Sequence, residues 1–325
     1  MSMDKHDWRE IVARYAHPDG TRGLWQVVNT LIPFVALFYL SLRLIEVSFW
    51  LAFPSILLTA GFMVRTFIIF HDCCHGSFFA SRLGNDILGS ITGVLTFTPY
   101  YRWKRDHAIH HATAGDLDRR GTGDVYTMTV AEYRAASWWK RAGYRIMRNP
   151  FAMFLAGPLI MFVLVQRIPV GKGGRERASV WWTNLALAAI MTALILIFGW
   201  RTYVPVQLLV TFFGASAGLW LFYVQHNFEG VYWARHDAWD FFRASMGGSS
   251  FYKLPPVLQW FSGNIGFHHI HHLSSRIPNY NLPRAYKENP IFHVQPLTLR
   301  SSLRSLKWRL YDEAGRRLVG WEAVR

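Results

Sequence analysis

The sequence predicts an all-α membrane protein, with four transmembrane helices in two hairpins, further interfacial helices, and a helical cap on one face of the bilayer. Three observations predict it. Only 17% of the residues are charged against 51% apolar, where a soluble domain carries about 25% charged residues. Four almost uncharged runs of transmembrane length account for the deficit. Most of the 14 histidines fall in three tight groups beside the ends of those runs.

Taken in order, the chain starts with a charged stretch, Met1–Asp19, that has no apolar core ahead of a small-residue cleavage site, so no cleaved signal peptide is expected. His17-Pro18-Asp19-Gly20 is similar to the haem-binding HPGG of cytochrome b5. Too little chain precedes it to build that domain, and it reads as a turn before the first helix. The predicted spans are Leu24–Ile45, Val47–Phe70, Val180–Trp200 and Tyr203–Gln225. A helix of about 22 residues is about 33 Å long, enough for a hydrocarbon core of about 30 Å. Pro33 and Pro54 interrupt the first two, which membrane helices tolerate at the cost of local kinks. Each consecutive pair has a very short connection, so the spans form two hairpins.

Two further apolar stretches, Ile87–Tyr101 and Phe151–Val165, are only 15 residues each and suit interfacial or re-entrant segments better than spans. Arg145 and Arg148 precede the second stretch, while Arg167, Lys172, Arg175 and Arg177 follow it, so both its ends read as cytoplasmic. Of the 35 Lys and Arg, only Arg43 and Arg201 lie at the hairpin connections. Those connections are then exoplasmic and both termini cytoplasmic. This places the returns at His71 and His226, the loop Arg102–Pro150 and the chain beyond Glu229 on one face, and every histidine group with them. Had Ile87–Tyr101 spanned, the first two groups would lie across the bilayer from each other.

No internal repeat, low-complexity tract or separate soluble domain is evident. The expected organisation is one integral-membrane domain: a cytoplasmic N-terminal tail (1–23), a transmembrane and catalytic core (24–290) and a cytoplasmic C-terminal tail (291–325). The formal charge of +15 is compatible with nucleic acid, anionic lipid or an acidic protein. Because the basic residues flank apolar runs instead of forming a separate basic domain, nucleic acid is set aside as a partner. Cys73 and Cys74, the two cysteines, are adjacent, which excludes a disulfide framework and makes them reduced packing residues.

The histidine groups are His71-Asp72-Cys73-Cys74-His75, His107-Ala108-Ile109-His110-His111 and His268-His269-Ile270-His271-His272. Residues three and four apart share a helical face, so each group presents two or three imidazoles together. A lone histidine at a membrane end is usually an interfacial polar residue. Three groups converging on one side instead indicate metal ligation, because burying so many unpartnered imidazoles is unfavourable. There is no H-E-x-x-H and no cysteine pair suited to structural zinc. Eight or more imidazoles exceed what one ion accepts, which points to two ions, and imidazole suits iron, copper, nickel and zinc alike.

These groups read as HxxxH, HxxHH and HxxHH, and their surroundings extend the pattern: His71–Phe78 (HDCCHGSF), His107–Asp124 (HAIHHATAGDLDRRGTGD) and Gly263–Leu282 (GNIGFHHIHHLSSRIPNYNL). The chain resembles the membrane fatty acid desaturases, the bacterial acyl-lipid type in particular, over most of residues 24–290. The resemblance implies two non-haem iron ions that activate O2 and receive two electrons from a ferredoxin-like or cytochrome b5-like donor, producing a cis double bond in a lipid-linked acyl chain. The ligands it implies are His71, His75, His107, His110, His111, His268, His271 and His272, with His226 as a further ligand after the fourth span. His269 lies outside the motif positions, and on a helix it points away from its neighbours.

Asp72, Asp106, Glu229 and Asn264 neighbour these ligands and are candidates to orient imidazoles through the ring nitrogen away from the metal. Arg119 and Arg120 are candidates for a substrate headgroup, with a solvated basic loop as the alternative. Arg65, inside the second span, is expected to snorkel to the headgroups. The basic C-terminal segment suits an acidic ferredoxin. Two rival functions fit the same residues. A membrane hydroxylase or ketolase shares the site, and a histidine-rich metal transporter would need its ligands at the bilayer midplane and not at helix ends.

Overall fold

The computed structural model of the chain describes residues 7–170 and 173–325. Met1–His6 and Lys172 lie outside the described residues. After α1 (Asp7–Ala13), four long helices dominate: α2 (Gly20–Ile45), α3 (Phe49–His75), α9 (Gly174–Phe198) and α10 (Trp200–His226). Each holds an apolar window long enough to cross a membrane, and they pair as the two expected hairpins. The first hairpin turns through Glu46–Ser48, where the Ser48 hydroxyl caps α3 by accepting from the Trp50 amide. The second turns on Gly199 alone, whose φ of 79° lies in the left-handed region that a side chain disfavours.

α3 is the central helix. Of its apolar window, 61% is buried, against 17% for α9. It meets α2 through Ser41 and Ser55, whose hydroxyl oxygens are 2.9 Å apart, and it meets α10 where Gly214 lets Met63 approach closely. Phe34, Leu42, Ile56, Met63, Leu187 and Val210 pack together between these helices. The opposite faces expose Trp25, Ile32, Trp50, Trp181 and Leu196, as lipid-facing surfaces do. α2 and α3 run unbroken through Pro33 and Pro54.

At 27 residues, α3 and α10 are each about 40 Å long. That exceeds the hydrocarbon thickness by about 10 Å, and the surplus turns carry His71, His75 and His226. Hydropathy ends at Phe70 and Gln225, whereas the helices continue. Gly76, at φ 67°, stops α3 one residue after His75.

The stretch Ile87–Tyr101 is divided between α4 (Arg82–Leu95) and α5 (Tyr100–Thr113), with a break that includes Phe97 at φ 58°. After α6 (Val130–Ala135) and α7 (Trp138–Met147), residues 152–167 form an irregular helix with wide π turns around one regular turn, α8 (Gly157–Leu159). This segment bends 61° from α7. Its start is tied by Arg148 to Asn227, next to His226, and its end by Arg102 to the Ile168 carbonyl. Both ends therefore attach beside histidine-bearing elements.

The cap consists of α11 (Phe241–Gly248), β1 (Tyr252–Lys253), α12 (Pro256–Phe261), α13 (His268–Leu273) and α14 (Leu282–Glu288), followed by β2 (Leu297–Thr298), α15 (Leu299–Ser302), β3 (Leu310–Asp312) and β4 (Arg317–Val319). β1 pairs in parallel with β2, and β3 antiparallel with β4. Among the described residues, these short strands and three isolated β-bridges depart from an all-helical chain. The segment after residue 290, expected as a tail, belongs to this cap and is folded against α6, α7 and the end of α10. Tyr144 donates to the Arg309 carbonyl, Arg134 to the Ala323 carbonyl, and Tyr223 to the Ser305 carbonyl.

Candidate metal centre

Four helices bring nine histidines together. His71, His75, His107, His111 and His271 form one group and His110, His226, His268 and His272 a second, with the nitrogens of each group within 4.8 Å of one another. Helical spacing explains the division. The i,i+4 pairs His71/His75, His107/His111 and His268/His272 each share a face. The remaining histidine of each HxxHH box is turned by about 100° from its neighbour. It thus reaches the other group: His110 from α5 joins the second, and His271 from α13 joins the first. α5 and α13 serve both groups, α3 only the first and α10 only the second. The groups are adjacent, with the His111 and His272 rings stacked 4.1 Å apart.

The nitrogens converge more tightly than protons alone accommodate. Nε2 of His107 lies 3.0 Å from that of His71 and 3.1 Å from that of His111, which is 3.0 Å from that of His271. In the second group, Nε2 of His226 is 2.9 Å from that of His268 and 3.2 Å from that of His110, and His268 and His272 are 3.1 Å apart. His71 Nδ1 faces the Asp72 carboxylate at 3.2 Å and His226 Nδ1 the Gly248 carbonyl at 3.1 Å. Each therefore carries its proton on Nδ1 and presents a bare Nε2 lone pair inward. Burial, reinforced by neighbouring imidazoles, pushes His107, His110, His111, His268, His271 and His272 well below the usual imidazole range. Neutral rings have one N–H each. One proton on His107 would have to serve two partners, as would one on His268, and His75 Nε2 is buried with no partner at all. A cation in each group meets every lone pair at once. Two nitrogens on opposite sides of one first-row ion are about 4.2 Å apart, close to the spread observed. The donor set fits two such ions.

Residues 48–300 match the family model described as fatty acid desaturase, a stretch that contains all nine histidines. The chain belongs to the fatty acid desaturase family. It is 46% identical over 316 residues to the fatty acid desaturase of Bacillus subtilis (strain 168), covering 97% of this chain and 90% of that one. It is 26% identical to the sn-1 acyl-lipid omega-3 desaturase (ferredoxin) of Synechocystis sp. (strain ATCC 27184 / PCC 6803 / Kazusa), over 73% of this chain and 67% of that protein. The sn-1 oleoyl-lipid 12-desaturase of the same organism is 25% identical, over 82% and 76%.

Around the histidines of this desaturase, the expected orienting residues divide. Asp72 touches an imidazole and is itself held, because its second oxygen accepts from the Asn279 backbone at 2.7 Å and side chain at 2.9 Å. Asn264 does not reach a histidine. At φ 60° it sits in a turn and donates to the Asn279 carbonyl at 3.3 Å. Asp106 faces Arg102 instead, one turn earlier on α5, at 3.9 Å. Glu229 lies beyond the end of α10, exposed and 3.7 Å from Arg304.

The two headgroup candidates are engaged elsewhere. Arg120 is buried against the Glu132 carboxylate and the Leu117 carbonyl. Arg119 is exposed and donates to His236 at 2.7 Å, while His236 donates to Asp116 at 2.8 Å. Arg65 does not snorkel. It is only 6% exposed, donates to the Thr30 hydroxyl and the Trp260 carbonyl, and lies 3.9 Å from the Trp260 ring centre. The low-lying α12 gives its guanidinium a protein partner inside the span, so it has no need of lipid headgroups.

Cys73 and Cys74 are buried among Ile69, Phe70, Phe78 and Tyr100, as packing residues. His269 points away from both groups and donates to the Phe292 carbonyl at 2.9 Å. Two contributors were not singled out by the sequence. The Gly248 carbonyl fixes His226, and any residue could supply a carbonyl. Asn279 was legible only as part of a longer motif.

Proposed function

We propose that this desaturase introduces a cis double bond into a fatty acyl chain esterified in a membrane lipid, using iron at both histidine groups. The balanced reaction removes two hydrogens from adjacent methylenes and consumes O2, two electrons and two protons to give the alkene and two waters. Two bound iron ions would supply O2 reduction and an oxidant strong enough for an unactivated C–H bond. The nine histidines named above would hold them. Asp72 would keep the His71 proton on Nδ1, with Asn279 fixing the carboxylate, and the Gly248 carbonyl would do the same for His226.

The observation that carries this reading is the division of nine imidazoles into adjacent groups of five and four. The lipid-linked substrate and a ferredoxin-like donor rest on the names of the Synechocystis relatives. A cytochrome b5-like donor is the alternative that family resemblance allows. The scarcity of basic residues at the hairpin connections supports a cytoplasmic site and cytoplasmic termini. A hydroxylase or ketolase would use the same ligands; family membership favours desaturation.

The test is expression in a bacterial host with saturated lipids, followed by fatty acid analysis with double-bond location by mass spectrometry. New cis-unsaturated chains, absent for His75→Ala, support the reading. Hydroxy or keto products without new double bonds would replace it.

A further inference from the structure

Residues 299–307 wind as α15 and a following 3-10 turn, and the two faces of this short helix differ. Ser302 and Ser305 are buried against the end of α10. Tyr252 Oη lies 3.0 Å from Ser302 Oγ and accepts from Trp220 Nε1 at 3.3 Å, while Tyr223 donates to the Ser305 carbonyl at 2.9 Å. The other face presents Leu299, Arg300, Leu303, Arg304 and Lys307, all exposed. Leu303 is 58% exposed. Arg304 is 3.7 Å from Glu229; among the described residues, Arg300 and Lys307 have no ion pair.

Depth follows from α10. Trp220 and Tyr223 lie 20 and 23 residues beyond Trp200, where that helix begins. At 1.5 Å per residue this is about 30–35 Å along the axis, the far boundary of a hydrocarbon core of about 30 Å. The neighbouring surface agrees. Pairing of Tyr252 with Leu297 joins the helix to α12, which exposes Pro256, Val257, Leu258 and Trp260 and packs Phe261 on Phe62, inside the second span.

We propose that residues 299–307 lie in the plane of the membrane surface and bind anionic phospholipid headgroups. Leu299 and Leu303 enter the acyl boundary, and Arg300, Arg304 and Lys307 meet the lipid phosphates. A short helix with leucines and basic residues on its outer face, set at the polar boundary, is suited to an anionic leaflet. An acidic soluble protein matches the charges but not the depth or the two leucines. The inference does not depend on which reaction the metal centre performs.

The holoenzyme in neutral detergent tests it. Dioleoyl phosphatidylglycerol raises the thermal midpoint of the wild type at lower concentration than phosphatidylcholine does. In the combined variant Arg300→Gln, Arg304→Gln, Lys307→Gln the apparent affinity for phosphatidylglycerol falls about tenfold or more. An unchanged preference for the anionic lipid overturns the proposal. So does a variant that loses binding of an acidic ferredoxin while keeping its full lipid preference.

A second measurement does not depend on how well that variant folds. Leu303→Cys labels selectively, since Cys73 and Cys74 are buried. In nanodiscs, a fluorophore there is quenched by spin-labelled lipid. Quenching by aqueous iodide and not by lipid overturns the proposal.

Discussion

Replacing Asp72 by Asn keeps the shape of the side chain and removes its charge. The carboxylate takes three donors, His71 Nδ1 on one oxygen and the Asn279 amide and side chain on the other, and an Asn amide offers only one acceptor oxygen, so either His71 or Asn279 faces an NH2 group instead. Loss of such an outer partner typically lowers metal affinity about 10–100-fold. Asp72→Asn is therefore expected to give up iron to a chelator more readily, with unchanged helix content by circular dichroism. The two groups are separable by a second pair of variants. His75→Ala and His268→Ala should each lower the iron content toward one ion per chain and abolish desaturation. Loss of both ions from either variant would mean that the groups fill as a unit. Sequence spacing made these ligands legible because three- and four-residue intervals translate directly into shared helical faces. Spacing did not separate Asp72 from Asp106, each one residue from a ligand: Asp72 reaches its neighbouring imidazole, whereas Asp106 faces Arg102 one turn away. Glu229 was misread because α10 ends at His226 and the chain direction changes there.

Helix ends and clamps decide how accurately those faces meet. Gly76 adopts φ 67° one residue after His75, a conformation that costs a non-glycine residue about 1–2 kcal/mol. Gly76→Ala has open space for its Cβ, so the expected loss is of that size, read as a lower thermal midpoint without loss of a contact. Arg65 links three elements, reaching Thr30 on α2 and the Trp260 carbonyl of α12, eight residues before His268. Arg65→Met leaves the Thr30 hydroxyl oxygen without a donor and the Trp260 carbonyl with the Gly263 amide alone, at about 1–3 kcal/mol, and Arg65→Lys cannot make both contacts and the ring stacking together. Both variants should unfold at lower temperature, methionine more than lysine. Retention of full stability by Arg65→Met would show that the clamp is dispensable. The four spans were readable from hydropathy, yet α3 and α10 run past their apolar limits. Hydropathy reports where lipid stops, whereas the helix stops where Gly76 or Asn227 leaves helical geometry.

At the scale of the whole molecule, the C-terminal segment packs against the end of α10 that carries His226. Its strands are two or three residues long, too short for an alternating pattern, and its charges resemble those of a solvated tail, so the sequence did not reveal this role. The hydrogen bonds do. Asn227, the residue after His226, accepts from Arg148 at 2.8 Å and donates to the Ser305 carbonyl at 3.0 Å, while Arg148 also donates to the Trp308 carbonyl at 3.1 Å. Arg148 is fully buried, and the chain from 297 onward forms part of its enclosure. Ending the chain after residue 296 removes those carbonyls and admits water to the end of α10. Each buried donor left unpaired costs about 1–3 kcal/mol, more for a charged group. The truncated protein is expected to lose iron from the His226 group first, retaining about half of the metal, and to melt well below the full chain. Iron analysis and a thermal scan on the same sample check both. A truncated protein with full iron content and an unchanged midpoint would return the segment to the status of a tail. Loss of metal at a preserved midpoint would place its contribution at His226 itself.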